Sequence, residues 1–160
     1  MKEITVLGIG NILWQDEGFG VQVLTMLNKQ YHFANNIQLL DGGTMGMELL
    51  AFLQGCKKLI IIDAIDGGKA PGSLYRISGA DVDTYFQEKL SVHELGIKDV
   101  LSTLTLIGEP LEAVTVIGIQ PVSLDMGIEL TPLAKSRCQL VINSVLAELQ
   151  SWQADVVKVC

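Results

Sequence analysis

Histidine is almost missing from this chain, with two among 160 residues, and cysteine is scarce, with three. Cys56, Cys138 and Cys160 are far apart, form no CxxC and leave one unpaired by their odd count, so they read as reduced thiols and not as a disulfide framework. Basic charge is also in short supply. Eleven Lys and Arg face 18 Asp and Glu, a net charge of -7, and they are scattered, which argues against a nucleic-acid partner. No apolar run approaches the ~20 residues that cross a bilayer, and the opening MKEITVLGIGN has an acid and glycines where a signal peptide needs an unbroken apolar core. A cytoplasmic location, with no membrane contact, is the expectation. Several chemical signatures are missing too. There is no HExxH, no GxSxG and no GKS or GKT, and Gly8 and Gly10 are followed by Leu13 where a dinucleotide loop needs its third glycine.

What is present is core material. Hydrophobic residues make up 49% of the chain and charged ones 18%, which suits a single domain spanning 1–160 without long disordered segments. Three β-branched runs, EITVLG from Glu3, IQLLDGG from Ile37 and KLIIIDA from Lys58, read as buried strands. Amphipathic windows lie between them at Phe19–Tyr31 and Gly46–Gln54. Further on come an edge strand near Ser73–Ile77, helices near Ala80–Phe86 and Glu94–Leu106, and a strand from Ala113. A last helix, Pro132–Leu149, starts behind a Thr131 cap, and the tail 153–160 reads as irregular. Strand and helix alternate. The expected fold is therefore α/β, a mostly parallel, twisted five-stranded sheet with helices on both faces.

In such sheets ligands bind outside the carboxyl ends of the strands. Asp16 and Glu17 follow the first strand, Asp41 follows the second and Asp63 closes the third, so three turns on one edge carry carboxylates. Asp16 is read either as a cap on the first helix or as a chemical group, acids being favoured by ~0.3 to 1 kcal/mol at a helix start. Glu17 is harder to explain structurally, because Gly18 and Gly20 beside it let a ligand or backbone come close. Asp41 either holds the turn before Gly42 and Gly43 or does chemistry. Asp63 leaves a dry strand, where an unpaired carboxylate is costly, and is read as functional. His93 stands at a predicted helix start, where the ordinary alternative is a surface histidine; His32 is read as solvated. Two carboxylates and an imidazole suit a borderline divalent ion such as zinc or nickel, with positions open for water or substrate.

The segments GIGNILWQDEGFGV, LLDGGTMGMELL, LIIIDAI, SVHELGIKDVL and VIGIQP, in this order and spacing, resemble the hydrogenase maturation endopeptidases, in particular the branch serving uptake nickel-iron hydrogenases. The resemblance runs from about Val6 to Leu149. It implies a cytoplasmic protease that removes a C-terminal extension from the precursor of the hydrogenase large subunit once nickel is inserted, and a monomer is expected. It also implies that Glu17, Asp63 and His93 contact the metal and that Asp41 takes part in activity or shapes the cleft. The nickel would be carried by the substrate, with zinc or cadmium as other ions for the same site. Either metal-bound water attacks the peptide, or the trio only reads the nickel while a carboxylate such as Asp41 or Asp16 activates water.

Two other classes compete. A non-cleaving, nickel-dependent binding module or chaperone for the same precursor would carry the same residues but leave the precursor's mass unchanged. A flavodoxin-like nucleotide binder would gain melting temperature from a nucleotide or flavin.

Overall fold

The computed structural model describes the backbone of residues 2–88 and 92–159, and side chains outside 88–95. Five strands form the main sheet: β1 (Ile4–Ile9), β3 (Ile37–Gly43), β4 (Lys58–Ala64), β5 (Leu74–Ser78) and β6 (Ala113–Ile119). Their order is β3-β1-β4-β6-β5. The first four are parallel, and β5, expected as an edge strand, lies on the outer edge and runs antiparallel to β6.

Alternating side chains of the central strands feed two cores. Val6, Ile60, Ile62, Ile117 and Ile119 pack against α1 (Phe19–Gln30) and α5 (Pro132–Ser151). Leu7, Ile9, Leu59, Ile61 and Val116 pack on the other face against α2 (Leu49–Leu53), α3 (Ala80–Glu88) and α4 (Val92–Leu106). Every residue of β1 is buried, which explains why its sequence is a continuous apolar run instead of an alternation. Thr131 caps α5 by accepting a hydrogen bond from the Ala134 N–H, with Pro132 in the first turn.

Two expectations need correction. The window at Gly46–Gln54 supplies only five helical residues, since Gly46 and Met47 form the turns that lead into α2. The tail is not irregular throughout: β7 (Val156–Lys158) pairs antiparallel with β2 (Tyr31–Phe33) in a separate two-stranded ribbon. Strands of three residues carry too little periodicity to be seen in a sequence. His32 lies in this ribbon and is exposed, as expected.

Candidate active site at the carboxyl edge

The chain winds outward from β1 to β3, then returns to place β4 on the opposite side of β1. The carboxyl ends of β1 and β4 therefore form the switch point where an open α/β sheet leaves a crevice. Gly8 pairs with Asp41 on one side and with Ile62 on the other. With strands ~4.8 Å apart, the ends of β3 and β4 stand about 10 Å apart across β1.

Asp63 comes from the end of β4, is 1% exposed and is held by its neighbours. Its Oδ1 accepts the Ala64 N–H at 2.8 Å, and the Tyr85 hydroxyl donates to Oδ2 at 3.4 Å. Sequence reasoning had no signal for Tyr85, which α3 delivers from 22 residues away. A cleft of about 520 Å³ opens on this side, lined by Ile65, Asp66, Tyr75, Asp81 and Tyr85 among others. A similar volume of about 550 Å³, lined by Arg76, Ala113, Glu148 and Trp152, lies at the amino end of β6, the wrong edge for this chemistry.

Glu17 is half-buried in a short 3-10 turn, Gln15–Gly18, between β1 and α1. That turn seats against Gly10: a Cβ on Gly10 would lie 1.8 Å from the Glu17 carbonyl oxygen and 3.8 Å from Asp63 Oδ1. Gly10 also has φ +122, a left-handed conformation that favours glycine. The main chains of the Glu17 turn and of the β1 terminus, and the Asp63 carboxylate, thus meet at one residue without a side chain. The nearby glycines serve backbone approach and not a ligand. A Cβ on Gly20 would fall 2.0 Å from the Ile62 carbonyl oxygen, so its absence lets α1 settle onto the sheet.

Asp16 is neither a cap nor available for chemistry. It is fully buried, and its Oδ2 accepts N–H bonds from Val122 at 2.9 Å and Ser123 at 3.3 Å. The Thr131 N–H donates to Oδ1 at 2.8 Å, and the Thr131 hydroxyl sits 3.1 and 2.8 Å from the two oxygens. This carboxylate staples the loop after β6 to the turn after β1. Its partners lie 106 to 115 residues away, which is why local sequence pointed to a cap instead.

Asp41 is exposed at the end of β3, on a bulge: Gly8 pairs with Asp41 and Ile9 with Gly43, leaving Gly42 over. Its Oδ1 accepts the Gly43 N–H at 3.0 Å, which bears out the turn-holding role. Oδ2 has no hydrogen-bond partner among the described residues. The next turn is fixed by Glu48, whose carboxyl is held below its ordinary range by hydrogen bonds from its own N–H and that of Gly46.

His93 lies in the first turn of α4, and its imidazole is outside the described side chains. The helix itself is anchored on the same edge: a Cβ on Gly96, one turn further on, would sit 2.7 Å from the Gly46 Cα in the loop after β3. The loops of β1, β3 and β4 and the first turns of α4 are therefore gathered at one end of the sheet. Among the described residues no three of His, Cys, Asp and Glu converge. Glu17 and Asp63 thus come from neighbouring segments at the switch point, at the end of the sheet where α4 begins.

Comparison with known proteins gives this geometry its family. Residues 21–148 match the family model described as hydrogenase maturation protease. The Hydrogenase 2 maturation protease of Escherichia coli K12 is 41% identical over 155 residues, covering 96% of this chain and 94% of its own. The hydrogenase expression/formation protein HupD of Rhodobacter capsulatus is 40% identical over 159 residues, 98% of this chain and 76% of its own. Among solved structures, the hydrogenase maturating endopeptidase HybD from E. coli superposes with a TM-score of 0.93 at 38% identity, covering 98% of this chain and 97% of that one. Sheet order, carboxylate-bearing edge and sequence agree, and the chain belongs to the hydrogenase maturation proteases, a family of peptide hydrolases.

Proposed function

We propose that this protease removes the C-terminal extension of a nickel-iron hydrogenase large-subunit precursor after nickel insertion, acting as a cytoplasmic monomer. Glu17, Asp63 and His93 contact the nickel that the precursor brings, so the metal is part of the substrate. Their two carboxylates and one imidazole also suit zinc or cadmium at the same place. The observation that carries this reading is Asp63: a buried carboxylate at the sheet's switch point, separated from the Glu17 turn only by Gly10. Recognition of the metal by this trio positions the scissile bond, and positioning alone is a large part of a hydrolytic rate.

Asp41 is the better general base of the two spare carboxylates. Asp16 has both oxygens occupied, whereas Asp41 is exposed, has one oxygen fixed by Gly43 and the other open to a water. The bulge at Gly42 fixes its height above the β1 terminus. Proton removal by a positioned carboxylate contributes roughly 10² to 10⁴ in rate.

Intact-mass spectrometry of the precursor, nickel-loaded and nickel-free, tests the reading. Loss of a C-terminal peptide is expected only with nickel. Glu17→Gln and His93→Ala should abolish that loss while keeping the wild-type melting curve, and Asp41→Asn should slow it by about 10² or more. Normal processing by both Glu17→Gln and His93→Ala would sink metal reading by this trio. Precursor that binds but never changes mass would point to the non-cleaving module.

A further inference from the structure

The turn after β1 and the loop after β6 join into one exposed apolar surface beside the candidate site. Ile12, Leu13 and Trp14 lie on the first, and Val122, Leu124, Met126 and Ile128 on the second, between 40% and 76% exposed. They are held as a unit. The Gly127 N–H donates to the Leu13 carbonyl at 2.8 Å, the Gln15 N–H donates to the Gly127 carbonyl at 2.9 Å, and Trp14 and Gly127 form a parallel bridge. The Asp16 carboxylate fixes Val122 and Ser123 from beneath. Left in water, seven large apolar side chains carry an unfavourable hydration cost, and the staple keeps the loop that bears four of them in place. Such an arrangement suits a surface that is covered by something else during function.

We infer that this surface is the docking platform for the large-subunit precursor and receives an apolar segment of it close to the scissile bond. The inference rests on the function proposed above. Three features select this occupant. Trp14 immediately precedes the 3-10 turn that carries Glu17, so the surface adjoins the candidate site. The substrate is a protein and not a small molecule, so ground flanking the site is covered whenever the bond is in reach. Asp125 and Glu129 are the only charged residues in the two loop stretches 11–15 and 121–131, which leaves apolar burial as the main source of affinity.

The experiment compares the wild-type chain with a double variant, Met126→Ser with Ile128→Ser, at the two most exposed positions of the surface. Leu106→Ser, at the far end of α4 and 85% exposed, removes one exposed apolar side chain at the opposite edge and serves as control. Binding to nickel-free precursor is measured by calorimetry, cleavage of nickel-loaded precursor by mass, and subunit mass by light scattering. The double variant should bind about 10²-fold more weakly and raise KM in step, with its melting temperature kept, while Leu106→Ser binds like wild type. Equal binding by the double variant and wild type overturns the platform while leaving the proposed activity intact. Wild-type chain that binds without cleaving, with binding lost in the double variant, refutes the proposed activity and supports the platform. A wild-type dimer that the double variant splits makes this a self-association face and overturns the inference. If the double variant melts early, Met126→Ser alone, at 76% exposure, decides with an expected tenfold weakening of about the same origin.

Discussion

Replacing Asp16 by asparagine separates a structural carboxylate from a catalytic one. The side chain is nearly isosteric, so the change is confined to charge and to one acceptor. On Oδ1, asparagine keeps the bond from the Thr131 N–H at 2.8 Å. On the other side an NH₂ now faces the N–H groups of Val122 and Ser123, which had donated to Oδ2 at 2.9 and 3.3 Å. Bonds to a charged acceptor are worth ~1.5 to 3 kcal/mol each, and the longer of these belongs at the low end. The loss is therefore about 3 to 4 kcal/mol, a large share of the ~5 to 15 kcal/mol that holds a domain together. At ~2 to 4 °C per kcal/mol for a chain of this size, the melting temperature should fall by about 10 °C. Calorimetry gives that number, and amide exchange should show Val122 and Ser123 losing protection first. Cleavage should persist at temperatures where the variant is folded. An Asp16→Asn protein that melts like wild type but cleaves nothing would refute the staple and return Asp16 to the chemistry.

Gly10→Ala should cost about 3 kcal/mol or more, because its Cβ falls 1.8 Å from the Glu17 carbonyl at a φ of +122, and an unchanged urea midpoint would contradict the packing described. Cys56 is buried, and desolvation raises its thiol pKa above the ordinary 9.0, with bonds around Thr5 and Lys58 opposing the shift. Native protein should accordingly resist iodoacetamide at Cys56 at pH 8 and react only after unfolding. The same shift makes the folded state hold its proton where the unfolded chain has lost it. Stability from this group should thus decline as pH rises past 9.0, seen as a lower urea midpoint at high pH for wild type than for Cys56→Ala, each relative to its own value at pH 7.

Asp63 was legible because a carboxylate after three isoleucines breaks an apolar run, and any buried acid at that point needs an explanation. The sheet was legible because its first three strands are short, β-branched and ended by glycine or acid. Asp16 was not, because the groups that satisfy it come from the loop after β6 and a cap of α5, and nothing near residue 16 announces them. Gly18 and Gly20 announced close approach correctly, but a sequence does not say whether the approaching atoms belong to a ligand or to the chain's own backbone. Contacts with the Ile12 Cα and the Ile62 carbonyl oxygen show that it is the backbone. The ribbon of β2 and β7 was missed because its pairing joins segments of three residues from opposite ends of the chain.

The stretch 121–131 after β6 is moored to the turn after β1 chiefly through main-chain groups, the N–H donors of Val122, Ser123 and Thr131 and both polar groups of Gly127, joined by the Thr131 hydroxyl. Every residue other than proline offers an N–H, so this mooring does not depend on which side chains the stretch between carries. Its chemical character can be rewritten, from apolar to acidic or basic, at little expense to the fold. Such a loop is a faceplate whose side chains can be exchanged while the frame that holds it stays constant.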